Sequence, residues 1–167
     1  MLLEKLITTM NKLVKEHESS NKMLEIALKI KNKGNELFYA GKYKEAYSNY
    51  QNVINFLEDL QEPEVCVLIQ NCISNCCLVA VKMKDFHDAV SFSDRILEKE
   101  PNNEKMLYKK AEALYGLDHF QEANKTFKKV LDLNPTNKLA RQKMNLSKKK
   151  YQSNCHEERL MYSEMFK

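Results

Sequence analysis

Apolar and aromatic residues recur along this chain at the three- and four-residue spacing of helix faces, interrupted by short breaks that carry Gly, Pro or a run of polar residues. In LKIKNKGNELFYAGKYKEAYSNYQNV, residues 28–53, Ile30, Leu37, Phe38, Tyr43, Tyr47 and Tyr50 keep that spacing on both sides of Ala40-Gly41. The pattern predicts a helix, a tight turn and a second helix. Val, Ile and Thr never cluster into alternating runs, so a sheet is not expected.

The same unit returns further on. Ala89 in DFHDAV and Ala123 in HFQEAN stand 34 positions apart, and so do Pro101 and Pro135. Each unit puts a small residue where two helices cross and an aromatic at the start of the second helix: Tyr43 with Ala46, Phe86 with Ala89, Phe120 with Ala123. Gly34, Cys77 and Ala111 fill the matching close-packing position of the first helices. The segments LEKEPNN and LDLNPTN stop the second helices with proline. Between the first two units the spacing is longer, and the surplus falls around Leu57 to Glu64, where Pro63 marks the turn and both flanking helices can lengthen.

A period of about 34 residues is that of the tetratricopeptide helix-turn-helix, and the chain resembles that family. The expected fold is all-α: a right-handed superhelix of three such units, near residues 27–62, 70–103 and 104–137. A helical extension over residues 1–26 precedes them, with Leu2, Leu3, Leu6, Ile7, Met10, Leu13 and Val14 on one face. A long capping helix over residues 138–167 follows. Leu139, Met144, Leu146 and Tyr151 are expected to dock onto the open face of the last repeat. Leu160, Met161, Met165 and Phe166 form an apolar cluster that projects beyond it.

Composition narrows the function more than the fold. With 167 residues, three Gly, three Pro and 30% charged residues, the chain is one domain or a small repeat array. The net charge of +4, mostly from lysine, suits acidic partners in general and lacks the basic footprint of a nucleic-acid binder. The opening MLLEKLITTM has Glu4 and Lys5 inside its apolar stretch and no small-residue cleavage site, so no signal peptide is expected. No run is judged to approach the ~18 apolar residues of a membrane span, and a cytoplasmic or nuclear location is expected.

Five cysteines, Cys66, Cys72, Cys76, Cys77 and Cys155, are an odd number, and four share one predicted helix. They read as reduced, buried thiols. Cys72 and Cys76 with His87 raise a zinc site or a thiol nucleophile with its base. No second ligand pair follows at finger spacing, and neither a Gly-rich phosphate loop nor a carboxylate pair is present. No metal, cofactor or catalysis is expected.

Lys31 and Asn35 are four apart, hence one turn apart on one helix face. A cation and an amide presented together suit a carboxylate. With Asn75 in CISNCCLVA and Lys105 and Lys109 in EKMLYKKAEAL, the pattern resembles tetratricopeptide domains of the carboxylate-clamp type. That resemblance implies that the five side chains converge on the C-terminal carboxylates of an acidic peptide. Arg is commoner in the family where Lys109 stands, and Lys lacks the planar two-pronged donor. Phe38, one turn beyond Asn35, and Asn71, one turn before Asn75, are candidate flanking contacts.

The implied ligand is the EEVD-type tail of cytosolic heat-shock chaperones, the ninety-kilodalton class ahead of the seventy-kilodalton class. The ending EERLMYSEMFK is similar to the last helix of tetratricopeptide-bearing immunophilins, the FK506-binding proteins and cyclophilins. Those proteins carry a β-rich isomerase domain that nothing in this chain can form, so prolyl isomerisation is not expected. Two other binding readings remain open. Arg141, Lys143, Lys148, Lys149 and Lys150 form a basic amphipathic stretch of the kind calmodulin binds, and the N-terminal helix could drive self-association.

Overall fold

The computed structural model describes the backbone of residues 2–165 and the side chains of residues 21–165. Seven helices and no strand appear among the described residues: α1 (Leu2–Tyr39), α2 (Tyr43–Leu57), α3 (Pro63–Met83), α4 (Phe86–Leu97), α5 (Glu104–Gly116), α6 (Phe120–Leu133) and α7 (Lys138–Met165). The apolar face assigned to residues 2–14 lies outside the described side chains, as does Phe166.

The aromatics expected to open the second helix of each unit do so, since α2, α4 and α6 begin at Tyr43, Phe86 and Phe120. Ala46, Ala89 and Ala123 are fully buried, and so are Cys77 and Ala111. The turns that join the paired helices share one backbone device. Gly41, Lys84 and Asp118, each two residues ahead of the aromatic, take positive φ of 76°, 62° and 61°. That conformation reverses the chain in two or three residues, and only the first turn uses the residue for which it carries no steric cost.

The surplus between the first two units is helical rather than looped. α2 has 15 residues and α3 has 21, against 12, 13 and 14 for α4, α5 and α6. The extension and the first helix of the first unit are likewise one continuous element, α1.

One expectation is corrected here. α3 is long and apolar enough, by length and composition alone, to cross a membrane. Gln70, Asn71, Ser74 and Asn75 break its apolar run to the eye without lowering its average enough to exclude it. Within the fold its Val65, Leu68, Cys72, Ile73, Cys76, Cys77, Val79 and Ala80 are buried by helix packing.

The chain divides within α3 into two compact units, residues 1–75 and 76–167. In the first, α1 packs on α2, and the Tyr50 ring lies against the α1 backbone at Gly34. A Cβ there would come within 2.8 Å of the ring. The second unit holds the end of α3 with α4 to α7. Leu107, Ala111, Leu114, Ala123, Phe127, Val130 and Ala140 form its core, with Tyr108, Tyr115 and Met144 packed against it.

α7 covers the last repeat with one of the four apolar residues expected, Met144, and with small residues beside it. Ala140 and Ser147 are buried, Met144 joins the core, and Asn124 Nδ2 donates to the Met144 carbonyl at 2.9 Å. Leu139, Leu146 and Tyr151 stay exposed. The small side chains of Ala140 and Ser147 let α7 approach closely, while the three bulky residues turn outward. Leu160, Met161, Tyr162 and Met165 are exposed too, as expected for the end of α7.

Candidate peptide-binding site

In the first unit, Lys31 and Asn35 lie on α1 and Asn75 lies on α3. Asn35 is held by two donors: the Tyr50 hydroxyl reaches its Oδ1 at 2.7 Å and Asn75 Nδ2 reaches the same oxygen at 3.3 Å. Tyr50 is itself nearly buried, fixed against Gly34. With its oxygen engaged by the protein, Asn35 has the Nδ2 donors left for a ligand, and a carboxylate accepts only donors. The Lys31 ammonium stands near enough to the buried Cys72 thiol to act on it. Burial pushes that thiol up to about 11 and Lys31 pulls it back.

Of the two flanking candidates, Asn71 is exposed on α3. Phe38 is half-buried and stacks edge-on against Tyr43, with ring centres 5.5 Å apart, so its ring closes the α1–α2 turn.

In the second unit, Lys105 and Lys109 lie one turn apart on α5 and line an open concavity of about 600 Å³ with Asn103, Glu104, Tyr108 and Asn137. Asn103 caps α5 by accepting from the Met106 amide at 3.1 Å, which fixes where the helix and its lysines begin. Glu104 is the acidic residue on this wall, and its Oε1 accepts from Asn134 at 3.0 Å and Asn137 at 2.9 Å. Lys109 is three-quarters covered. Its ammonium lies 5.5 Å from the Tyr108 ring centre and 2.8 Å from Glu112 Oε2. Both lysines act on Cys77 of α3, whose thiol burial raises to about 11 while Lys109 and Lys105 oppose the rise.

The structure thus sets three of the sequence-derived residues together in one unit and two in the other. Sequence reading passed over Tyr50, which fixes Asn35, and Glu112, which engages Lys109. Glu112 is three residues after Lys109 and was legible as a helix ion pair. Tyr50 was legible only as an apolar-face residue.

Three of the five thiols are buried: Cys72, Cys76 and Cys77 are fully covered, and burial raises Cys72 and Cys77 above the usual thiol value. No cluster of three metal-ligating side chains occurs among the described residues. On α7, Arg141, Lys148, Lys149 and Lys150 are exposed, whereas Lys143 is drawn toward Glu112, at 4.0 Å, and over the Tyr115 ring.

Comparison with known proteins agrees with the architecture. Residues 80–145 match the family model described as tetratricopeptide repeat. Peptidyl-prolyl cis-trans isomerase FKBP4 of Bos taurus is 29% identical over 156 residues, an alignment that takes in 89% of this chain and 34% of that protein. The chain therefore spans about a third of the length of the curated relatives it matches.

Among solved structures, the C-terminal TPR-containing domain of an FK506-binding protein of Plasmodium falciparum superposes with a TM-score of 0.70. It shares 26% identity and covers 80% of this chain and 93% of that one. The first TPR of Spaghetti (RPAP3), bound to the HSP90 peptide SRMEEVD, superposes with a TM-score of 0.63. It shares 24% identity and covers 74% of this chain and 90% of that one. Helix pairing, the repeat match over residues 80–145 and these likenesses together show that this chain carries a tetratricopeptide-type repeat fold and is similar to the tetratricopeptide regions of FK506-binding proteins.

Proposed function

We propose that the chain is a non-catalytic co-chaperone adaptor. It binds the free C-terminus of a heat-shock chaperone, an EEVD-type acidic tail, through Lys31, Asn35 and Asn75 of the first unit and Lys105 and Lys109 of the second. The observation that carries this reading is the wiring of Asn35, whose oxygen is taken by Tyr50 and Asn75 and whose remaining groups are donors. The likeness to domains that hold HSP90 and HSP70 peptides ending in EEVD supports the same ligand class, and the ninety-kilodalton chaperone is proposed ahead of the seventy-kilodalton one. A location in cytoplasm or nucleus, where such tails are found, goes with the proposal.

Hydrogen bonds to charged groups contribute about 1.5–3 kcal/mol each. Two or three of them, less the cost of ordering the tail, correspond to an affinity of about −8 kcal/mol, in the micromolar range. The site is open to solvent, so binding weakens with salt.

Calorimetric titration with a pentapeptide ending in EEVD, as free acid and as C-terminal amide, tests the proposal. The free acid is expected to bind and the amide to bind at least about tenfold more weakly. Lys105→Ala is expected to cost about tenfold or more. Equal affinity for the two peptides overturns the mechanism. The chain is also expected to leave the rate of prolyl isomerisation in a model peptide unchanged.

A further inference from the structure

Lys109 does not wait for its ligand alone. Glu112 Oε2 lies 2.8 Å from its ammonium, and the other oxygen of the same carboxylate, Oε1, faces Lys143 of α7 at 4.0 Å. Lys143 is held in turn over the Tyr115 ring, its ammonium 5.6 Å from the ring centre. Glu112 and Lys109 are each about three-quarters covered, so water screens this chain of charges less than it would screen a surface pair. Glu104, the acidic group that lines the concavity itself, is engaged by two amides.

We infer that Glu112 is an internal competitor for the ligand's carboxylate, and that Lys143 sets how strongly it competes. The inference rests on the functional reading above. A tail carboxylate that reaches Lys109 must sit within a few ångströms of Glu112, a like charge, while Glu112 already takes one of the three ammonium donors of Lys109. Lys143 shares the Glu112 charge from the far side and so lessens its hold on Lys109. The capping helix α7 thereby reaches the ligand site through one carboxylate, without touching the ligand. An adaptor built this way binds its tail more weakly than its lysines alone would allow, which suits a partner that must be released.

The test uses the full chain and the EEVD pentapeptide, in free-acid and amidated forms. Glu112→Gln keeps the shape and an acceptor for Lys109 and removes only the charge. It is expected to tighten free-acid binding by about two- to fivefold, the range of a partly exposed ion pair, and to leave the amide less affected. Lys143→Gln is expected to weaken free-acid binding by about twofold or more, and to have no effect when added to Glu112→Gln.

Glu112→Gln binding equal to or weaker than wild type overturns the inference while leaving the adaptor reading in place. So does a Lys143→Gln loss that persists in the double variant. A wild-type chain that does not distinguish free acid from amide overturns the adaptor reading, and this inference with it. Helical content by circular dichroism, measured alongside, is expected to be unchanged in all three variants.

Discussion

At the scale of single residues, the site is governed by what each polar group has already committed. Asn35 presents donors because Tyr50 and Asn75 consume its acceptor, and Lys109 already has one carboxylate beside it. The cysteines follow the same logic in reverse, since burial rather than a partner decides their state. Cys72 and Cys77 each sit near 11 in the folded chain against an ordinary 9. An acid whose folded value is raised binds its proton more tightly when folded. Its contribution to stability is therefore complete below pH 9 and falls away as pH rises through about 11. Urea melts across that window are expected to lose stability, and Cys77→Ala, which keeps a small buried residue, is expected to lose less. A thiol reagent at pH 8 is expected to label Cys66 and Cys155, the partly exposed pair, well before the other three.

At the scale of elements, close packing and turn conformation make separable demands. Gly116 ends α5 where the Phe86 ring lies on its backbone, and a Cβ there would meet the ring at 2.4 Å. Gly116→Ala is expected to destabilise by about 1–3 kcal/mol, because overpacking outweighs the helix preference gained at a terminal position. Gly41 has open space around its Cβ position and a φ of +76°, so Gly41→Ala tests turn strain by itself and is expected to cost about 1 kcal/mol. Lys84 already bears that strain, and Lys84→Gly is expected to raise the urea midpoint by a stability gain of about 0.5 kcal/mol, the relief exceeding the added freedom of the unfolded chain.

These elements also show what the sequence could and could not disclose. Helix starts at Tyr43, Phe86 and Phe120 were legible because an aromatic and a small residue three positions later recur together. The docking face of α7 was legible only at Met144, because large apolar residues were taken as its anchors. The other observed contacts use Ala140 and Ser147, which carry little hydrophobic signal but permit close approach. Of the candidate site, the donors were proposed from spacing, whereas the acceptor wiring of Asn35 depends on Tyr50, fifteen positions away on another helix.

At the scale of the whole molecule, α7 is two things in succession. Its first half completes the core of the second unit through Ala140 and Met144, and from His156 to Met165 every residue is exposed. Ending the chain after Cys155 is expected to leave the thermal midpoint within a few degrees of wild type. Ending it after Asn137 uncovers the side of the core formed by Phe127 and Val130, and is expected to cost several kcal/mol, at about 1.5–3 kcal/mol per apolar side chain returned to water.

The apolar character of α3 has a consequence beyond the native fold. Sheltered by its neighbours it is an ordinary core helix, yet in a nascent or heat-damaged copy the same stretch is an unshielded apolar segment of the kind that drives aggregation. A variant that merely loosens the packing would thus be lost to quality control sooner than its remaining affinity suggests.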